Sequence, residues 1–250
     1  VKNIYADTSM FPVAGEDAGN TAYDYDNYPD ISESDVDLSY NFVDNNNDPK
    51  PELFYDYLES LPFTNHGNAC VGVIGAVRSN DSCTLCGCGV AYHSKMAALK
   101  AGHIRKFHWE KYPQMNASSF SAALGYKYQN IQIYSNSWTF VKPFARMEPF
   151  TARVVERSIL QGRGGLGSIF VFPAGMPGNG FAQNIHTISV NSIGKNGKVP
   201  PSVFANSATL LTVTHTTRRL GDRKCDNKFG GSSAATAIIS EIIALALQAK

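Results

Sequence analysis

Two side chains stand where helix-like segments begin, and together they could perform acyl transfer. His66 precedes a run of small and apolar residues, and Ser233 opens a long apolar segment. The free N–H groups and the dipole at a helix N-terminus favour developing negative charge. A serine placed there, with a histidine base within hydrogen-bond reach, is the arrangement for nucleophilic catalysis. Each residue alone is more often structural, as an N-cap or as a packed histidine.

The five cysteines allow a second kind of chemistry, and three of them lie within six residues. The spacing of Cys83 and Cys86 is compatible with a zinc or redox site, but His93 is the only further ligand nearby. Glycosylation sequons begin at Asn80 and Asn116. Cysteines and sequons together indicate an oxidising compartment, so we expect a secreted or secretory-pathway glycoprotein with disulfides rather than zinc.

Helices and strands that would position these residues alternate along the chain. Their spacing fits βαβ crossovers, and it predicts an α/β fold with a mostly parallel sheet flanked by helices. Helices are predicted over 67–76, 116–126, 149–161 (ending at Gly162) and 232–248. Strands are predicted over 89–92, 131–134, 168–172 and 185–190, with more strand material in 199–213.

Several motifs, in consecutive order, resemble those of the kexin/furin-like proprotein convertases within the subtilisin-like serine proteases. Residues 66–72 resemble His-Gly-Thr-x-Cys-Ala-Gly around the catalytic histidine, and residues 231–235 resemble Gly-Thr-Ser-Ala-Ser around the nucleophile. Further motifs of the family, in the family's order, match 27–30, 47–51, 86–92, 133–138 and 162–171. The resemblance covers about residues 24–250 and is specific as a set.

The resemblance implies a subtilisin-like fold and peptide hydrolysis by an Asp–His–Ser triad, in that chain order. It implies that Ser233 is the nucleophile and His66 its general base, acting on a peptide or protein. Cys86 and Cys225 match a disulfide pair of the family. Asp30 matches a calcium-ligand position, so Ca²⁺ is the expected cofactor. We expect a single peptidase domain over residues 1–250, with the family's N-terminal strand region and C-terminal companion domain truncated or absent.

The triad aspartate departs from the family pattern. Counting back without a gap from the first matching motif leads to Thr21, which is not an acid. Asp7 follows a short strand-like run and is similar to the wider family's Asp-Thr-Gly, although an insertion must then follow it. Asp17 and Asp24 are the alternatives, and we take Asp7 as the prediction. Without this carboxylate His66 would lose its orientation, at a cost of about 10⁴-fold in rate.

Three further departures predict impaired catalysis and altered specificity. Met176 stands where the family has the oxyanion-hole asparagine, and losing that donor costs about 10²–10³-fold in turnover. Asn179 could replace it only if the loop is rearranged. Lys142 lies where the family's acids engage a basic substrate side chain, so cleavage after paired basic residues is not expected. The usual proline after the nucleophile motif is missing from 234–237.

Composition and charge exclude several classes of protein. Hydrophobic residues make up 43% and aromatic residues 11% of the chain, which fits a soluble globular protein. No stretch approaches 18 apolar residues, so no membrane span is expected, and no nucleic-acid partner is expected. The net charge of +1 hides a split, because residues 1–60 carry 14 of the 21 acids and only two bases. These acids either form a surface segment or bind something such as calcium.

Two functional hypotheses follow. The first is a subtilisin/kexin-like serine endopeptidase with impaired activity, which uses His66 and Ser233. The second is a catalytically inactive pseudoprotease that binds a partner through the old substrate groove or has a structural role. A zinc module built on Cys83, Cys86 and Cys88 is a third alternative.

Overall fold

A seven-stranded parallel sheet organises the part of the chain that the structure describes, and its strands lie side by side in the order 40–41, 95–100, 3–7, 133–135, 169–173, 187–192 and 210–212. This computed structural model describes residues 3–7, 36–49, 66–76, 88–107, 110–140, 142–194, 196–199, 210–212, 217–218, 225–226 and 229–249. The strands of the sheet are β1 Asn3–Asp7, β2 Tyr40–Asn41, β3 Lys95–Lys100, β6 Ile133–Ser135, β7 Ile169–Pro173, β8 Thr187–Ser192 and β9 Leu210–Thr212.

Four α-helices and two small antiparallel ribbons accompany the sheet in the described residues. The helices are α1 His66–Gly75, α2 Ala117–Leu124, α3 Pro149–Gly165 and α4 Gly231–Gln248. The ribbons pair β4 Gly102–Phe107 with β5 Glu110–Met115, and β10 Thr217–Arg218 with β11 Cys225–Asp226. The predicted α/β fold, with a mostly parallel sheet flanked by helices, is confirmed.

Alternate residues of the strands supply two separate cores, one on each face of the sheet. Ile133 and Val171 pack with α1 and α4, whereas their neighbours Tyr134 and Phe170 pack with α2 and α3. Successive side chains of a strand point to opposite faces, and a parallel sheet is covered on both. The unbroken apolar run of β7 therefore reflects burial on both faces.

The helix predicted over 149–161 does end where glycine was expected to stop it. Helical backbone angles stop at Gly162, and Arg163 and Gly164 have φ values of 53° and 67°. A Cβ added at Gly162 would lie 2.3 Å from the Ser168 Oγ, so a larger residue cannot be accommodated there. This close approach turns the chain back directly into β7.

The strand predicted over 89–92 is wrong, since these residues form a turn. The N–H group of Val90 donates to the Glu241 carboxylate at 2.8 Å instead of joining a sheet. The structure also adds elements that the apolar pattern did not predict, namely β3 and the β4–β5 ribbon. The strands predicted over 131–134 and 185–190 exist, shifted by two residues at their starts.

Helix α4 packs against α1 and the sheet, and it is the core of one face. Its 18 residues, with a mean hydropathy of 1.3, would also suffice by length and composition alone to cross a membrane. Half of that window is buried inside the domain. Burial of this kind is what the core helix of a globular domain requires.

Asn116 caps the N-terminus of helix α2 with its side chain. Its Oδ1 accepts from the Ser118 N–H at 2.9 Å and from the Ser118 hydroxyl at 2.7 Å. We expect Asn116→Ala to lower the free energy of unfolding by about 1 kcal/mol, because a first-turn donor loses its acceptor. Urea denaturation measures this, with Asn116→Asp as the cap-preserving control. Equal losses in both variants would contradict the prediction.

Candidate active site

The carboxyl ends of the parallel strands meet at one edge of the sheet, and Asp7 ends one of these strands. Asp7 is the last residue of β1 and lies opposite Leu99 of β3. On its other side, Ala6 lies opposite Ser135, the last residue of β6. Ligands of open parallel sheets bind outside this edge. The structure therefore places Asp7 at the edge where a site is expected, while Asp17 and Asp24 lie outside the described residues.

Ser233 lies in the first turn of α4 and faces the same edge. Its Oγ donates to the carbonyl oxygen of Ser137 at 3.3 Å, and the Ser137 Oγ donates to the carbonyl oxygen of Ser233 at 3.1 Å. Ser137 follows β6 by two residues, so this pair of bonds fixes the start of α4 to the edge. Gly230 precedes the helix and provides no side-chain cap for the first-turn N–H groups. The predicted position of Ser233 at a helix start is thus observed.

His66 is the first residue of α1, and burial dominates its chemistry. Its Nδ1 lies 3.7 Å from the Sγ of Cys70, one turn along the helix. Its ring meets the Phe229 ring edge to face, at 5.5 Å between centroids. Burial lowers the pKa of His66 to about 3. The imidazole is therefore neutral at pH 7 and can accept a proton, but its protonated form is disfavoured.

The hydrogen bond that would join nucleophile and base is not made. His66 and Ser233 are both among the described residues, and the hydroxyl of Ser233 bonds to Ser137 instead. A serine is activated only when its hydroxyl proton can pass to the base. In this arrangement a rotation of the Ser233 side chain away from Ser137 must precede catalysis.

The loop after β7 holds the position at which the oxyanion hole was predicted to be damaged. Gly175 has a φ of 58°, and a Cβ there would lie 1.9 Å from the Thr139 Oγ1. Met176 follows it directly. Asn179 is 1% exposed, and its Nδ2 donates to the Thr139 Oγ1 at 2.5 Å. Its Oδ1 accepts from the Phe181 N–H at 3.1 Å, so the amide of Asn179 is used inside the loop.

The loops after β6 and β7 are bonded to each other and form one rim of the site. The Phe144 N–H donates to the Pro177 carbonyl at 2.7 Å, and the Gly180 N–H donates to the Ala145 carbonyl at 2.9 Å. Lys142, whose side chain is exposed, comes two residues before Phe144 in the first of these loops. The loop therefore carries a cation where the resemblance would require acids.

The cysteines divide into two kinds. Cys88 is disulfide-bonded, and its partner is not among the described side chains. A cysteine in a disulfide offers no thiolate to zinc, so the zinc module that included Cys88 is wrong. Cys70 is buried and is in no disulfide. Cys86 lies outside the described residues, and Cys225 is described only by the pairing of β11 with β10, so their disulfide stays a prediction.

In the described part of the chain, no group of three or more His, Cys, Asp or Glu side chains comes together. Asp44, in the acidic loop after β2, instead pairs with Lys100 at 3.2 Å and accepts from Asn41 at 2.8 Å. Asp30 lies outside the described residues, so the calcium position stays a prediction.

Glu241 is the residue that sequence reasoning missed. It is fully buried in α4, and its carboxylate accepts from the N–H groups of Val90 and Ala91. Burial raises the pKa of Glu241 to about 8, although these two hydrogen bonds act to lower it. The sequence does contain a signal that could have identified it, because Glu241 is the only charged residue between Gly231 and Gln248.

Comparison with known proteins agrees with this architecture. Residues 20–250 match the Subtilase family. Furin of Homo sapiens is 32% identical over 244 residues, which cover 89% of this chain and 28% of furin. Neuroendocrine convertase 2 of Caenorhabditis elegans is also 32% identical over 244 residues, covering 89% of this chain and 35% of that protein. The chain thus spans about a third or less of the length of these curated relatives.

Solved structures of subtilisin-like enzymes share the fold. A cold-adapted subtilisin-like serine proteinase superposes with a TM-score of 0.65 at 17% identity, covering 99% of this chain and 76% of that one. The nisin leader peptidase NisP of Lactococcus lactis gives a TM-score of 0.64 at 12% identity, covering 99% of this chain and 77% of that one. The predicted resemblance is confirmed, and the chain belongs to the subtilase family as a serine protease domain similar to the furin-like convertases.

Proposed function

We propose that this domain is a serine endopeptidase of impaired activity that acts on peptides. Ser233 is its nucleophile, His66 its general base and Asp7 the carboxylate that orients the base. The observation that carries the proposal is the position of Ser233, in the first turn of α4 at the carboxyl edge of the sheet. First-turn N–H groups of α4 stabilise the oxyanion that forms when Ser233 Oγ attacks a peptide carbonyl.

The proposed reaction is slow for reasons that lie in the described residues. Ser233 Oγ must first leave the Ser137 carbonyl, and its proton must then pass to a His66 whose pKa is held at about 3. A base this weak gains little from taking the proton unless a carboxylate stabilises the imidazolium. Met176 also adds no hydrogen-bond donor to the oxyanion hole.

Labelling with a fluorophosphonate tests the proposal directly, because the probe reacts with an activated serine. We expect slow labelling of the wild type together with slow peptide turnover, both lost in Ser233→Ala. Ser232→Ala is the matched control, since it removes the neighbouring hydroxyl in the same turn of α4. Labelling that survives in Ser233→Ala, or a wild type that is never labelled, would overturn the proposal.

A second function, a peptide-binding pseudoprotease, is favoured by one observation. The hydroxyl of Ser233 is held by the Ser137 carbonyl, which is compatible with a groove that binds without cutting. This function predicts that the wild type binds peptides and is not labelled. The same experiment therefore separates the two functions, when peptide binding is followed by fluorescence anisotropy.

Lys142 gives a prediction about specificity. Its exposed ammonium group repels a cationic substrate side chain at the rim formed by the two bonded loops. We expect Lys142→Glu to raise kcat/KM for arginine peptides, relative to neutral peptides, by about tenfold, since the charge is reversed at close range. Arg153→Glu, which makes the same change of net charge on the exposed side of α3, is the control. An equal gain in that control would contradict a local role for Lys142.

The cellular setting belongs to the same proposal. A disulfide at Cys88 supports an oxidising compartment, and with it the secretory pathway. Asn116 carries a sequon on an exposed side chain, which supports the assignment as a glycoprotein. Calcium at Asp30 and a disulfide between Cys86 and Cys225 remain part of this proposal.

A further inference from the structure

Helices α1 and α4 lie side by side and point in the same direction. At their N-terminal ends, the His66 ring meets Phe229, which precedes α4 by two residues. At the far end of α1, the turn formed by residues 89–91 lies between the last residues of α1 and Glu241, near the middle of α4. The helices that carry the proposed base and nucleophile are therefore connected at their N-terminal ends and again at the last turn of α1.

Backbone contacts at the far end are close and specific. The Gly89 N–H donates to the Ala76 carbonyl at 2.9 Å. A Cβ added at Gly89 would lie 2.3 Å from the Ile74 carbonyl oxygen, so the turn packs directly on the end of α1. From the other side, the Glu241 Oε2 accepts from the Val90 N–H at 2.8 Å, and the carboxylate also accepts from the Ala91 N–H. The turn thus links α1 to α4 through hydrogen bonds.

A glutamate at this position costs stability that an apolar residue would not. Glu241 is fully buried, and its Oε1 has no hydrogen-bond partner. Burying a carboxyl group without full hydrogen bonding is unfavourable, and most of the other buried side chains of α4 are apolar. The benefit that remains is the pair of turn N–H groups, which would lose their acceptor if Glu241 were replaced by leucine.

We propose that Glu241 is a positioning residue, which uses the 89–91 turn to hold α1 and α4 in the register that brings His66 to Ser233. The inference rests on the proposed function, because it assigns these two side chains to one reaction. Glu241 follows Ser233 by eight residues, about 12 Å along a helix. It cannot touch a substrate at Ser233 and acts through the helix pair alone.

Three substitutions at Glu241 test the role. Glu241→Gln keeps the shape of the side chain and an acceptor oxygen. Glu241→Asp shortens the side chain by one methylene, and Glu241→Leu removes the carboxylate. Ile239→Ala, a buried apolar truncation two residues away on α4, is the control for lost stability alone. The rate constant of fluorophosphonate labelling at Ser233 is measured together with the affinity of a peptide aldehyde.

We expect the labelling rate constant to fall by about tenfold to a hundredfold in Glu241→Leu, since misplacement of reacting groups by about 1 Å has effects of this size. In Glu241→Asp the labelling rate constant should also fall, but by less. This variant serves as the test if Glu241→Leu does not fold. Glu241→Gln and Ile239→Ala should label within about threefold of the wild type. Labelling that falls equally in Ile239→Ala, or stays unchanged in Glu241→Leu and Glu241→Asp, would overturn the inference.

Hydrogen exchange keeps the test independent of activity. In Glu241→Leu, or in Glu241→Asp, the rate of amide hydrogen exchange should rise by about tenfold at residues 66–70, 231–236 and 89–91. In Ile239→Ala, the exchange rate at residues 66–70 should stay unchanged. Exchange that rises at the turn alone would overturn the inference. A wild type that is never labelled overturns the proposed function instead, and the exchange pattern then still decides whether Glu241 couples the two helices.

Discussion

Replacing Met176 with asparagine is expected to raise peptide turnover by about 10²–10³-fold, the amount that one oxyanion-hole donor contributes in serine proteases of this kind. Met176 directly follows Gly175, whose positive φ and close packing on Thr139 fix the backbone of the loop. The side-chain amide introduced by Met176→Asn would therefore extend from an ordered backbone at the end of β7. Asn179 is already bonded to Thr139 and does not compete for the role.

The gain should appear in kcat rather than in KM, because the new hydrogen bond forms to charge that develops only in the transition state. Steady-state kinetics on a chromogenic peptide measures both constants. Met176→Leu is the matched control, since it keeps the apolar character and offers no donor. An equal gain in that control, or activity of Met176→Asn that persists when Ser233→Ala is added, would contradict the assignment.

The positions of His66 and Ser233 at helix starts could be predicted, because they depend on local sequence. A polar residue followed by small and apolar residues marks a helix start wherever the chain folds, and α1 and α4 begin within one residue of the predicted positions. The end of α3 at Gly162 is equally local, since only glycine fits beside Ser168. These elements needed no knowledge of distant partners.

The turn at 89–91 could not be predicted, because its partner is remote in sequence. Val90 and Ala91 are apolar and favour a strand, but the Val90 N–H bonds to Glu241, which lies 151 residues away. Strand β3 was missed for a related reason. Its lysines at both ends do not suggest burial, yet Lys100 is only 3% exposed because Asp44 pairs with it.

The position of Asp7 depends on sheet order, which local sequence does not carry. Counting along the chain led to Thr21, whereas the pairing of β1 between β3 and β6 brings Asp7 to the edge where Ser137 contacts Ser233. Both neighbours of β1 in the sheet, β3 and β6, are far from it in sequence. A motif search alone therefore finds the nucleophile and the base more readily than the carboxylate.

The free energy of unfolding is expected to be greatest between about pH 4.5 and pH 6.5 and to fall on both sides of this range. His66 titrates near 6.5 when unfolded and near 3 when folded, so its contribution is full above pH 6.5 and is lost as the pH falls toward 3. Glu241 titrates near 4.5 when unfolded and near 8 when folded, so its contribution is full below pH 4.5 and is lost as the pH rises toward 8. Between these values the two dependences cancel.

Each group changes the free energy of unfolding by at most about 1.4 kcal/mol per pH unit, so each limb amounts to a few kcal/mol. Urea denaturation at a series of pH values measures the profile. Glu241→Gln should flatten the alkaline limb, because an amide does not titrate, and should leave the acid limb in place. His66→Asn should do the reverse. An alkaline limb that is the same in the wild type and in Glu241→Gln would show that the buried carboxyl group is not its source.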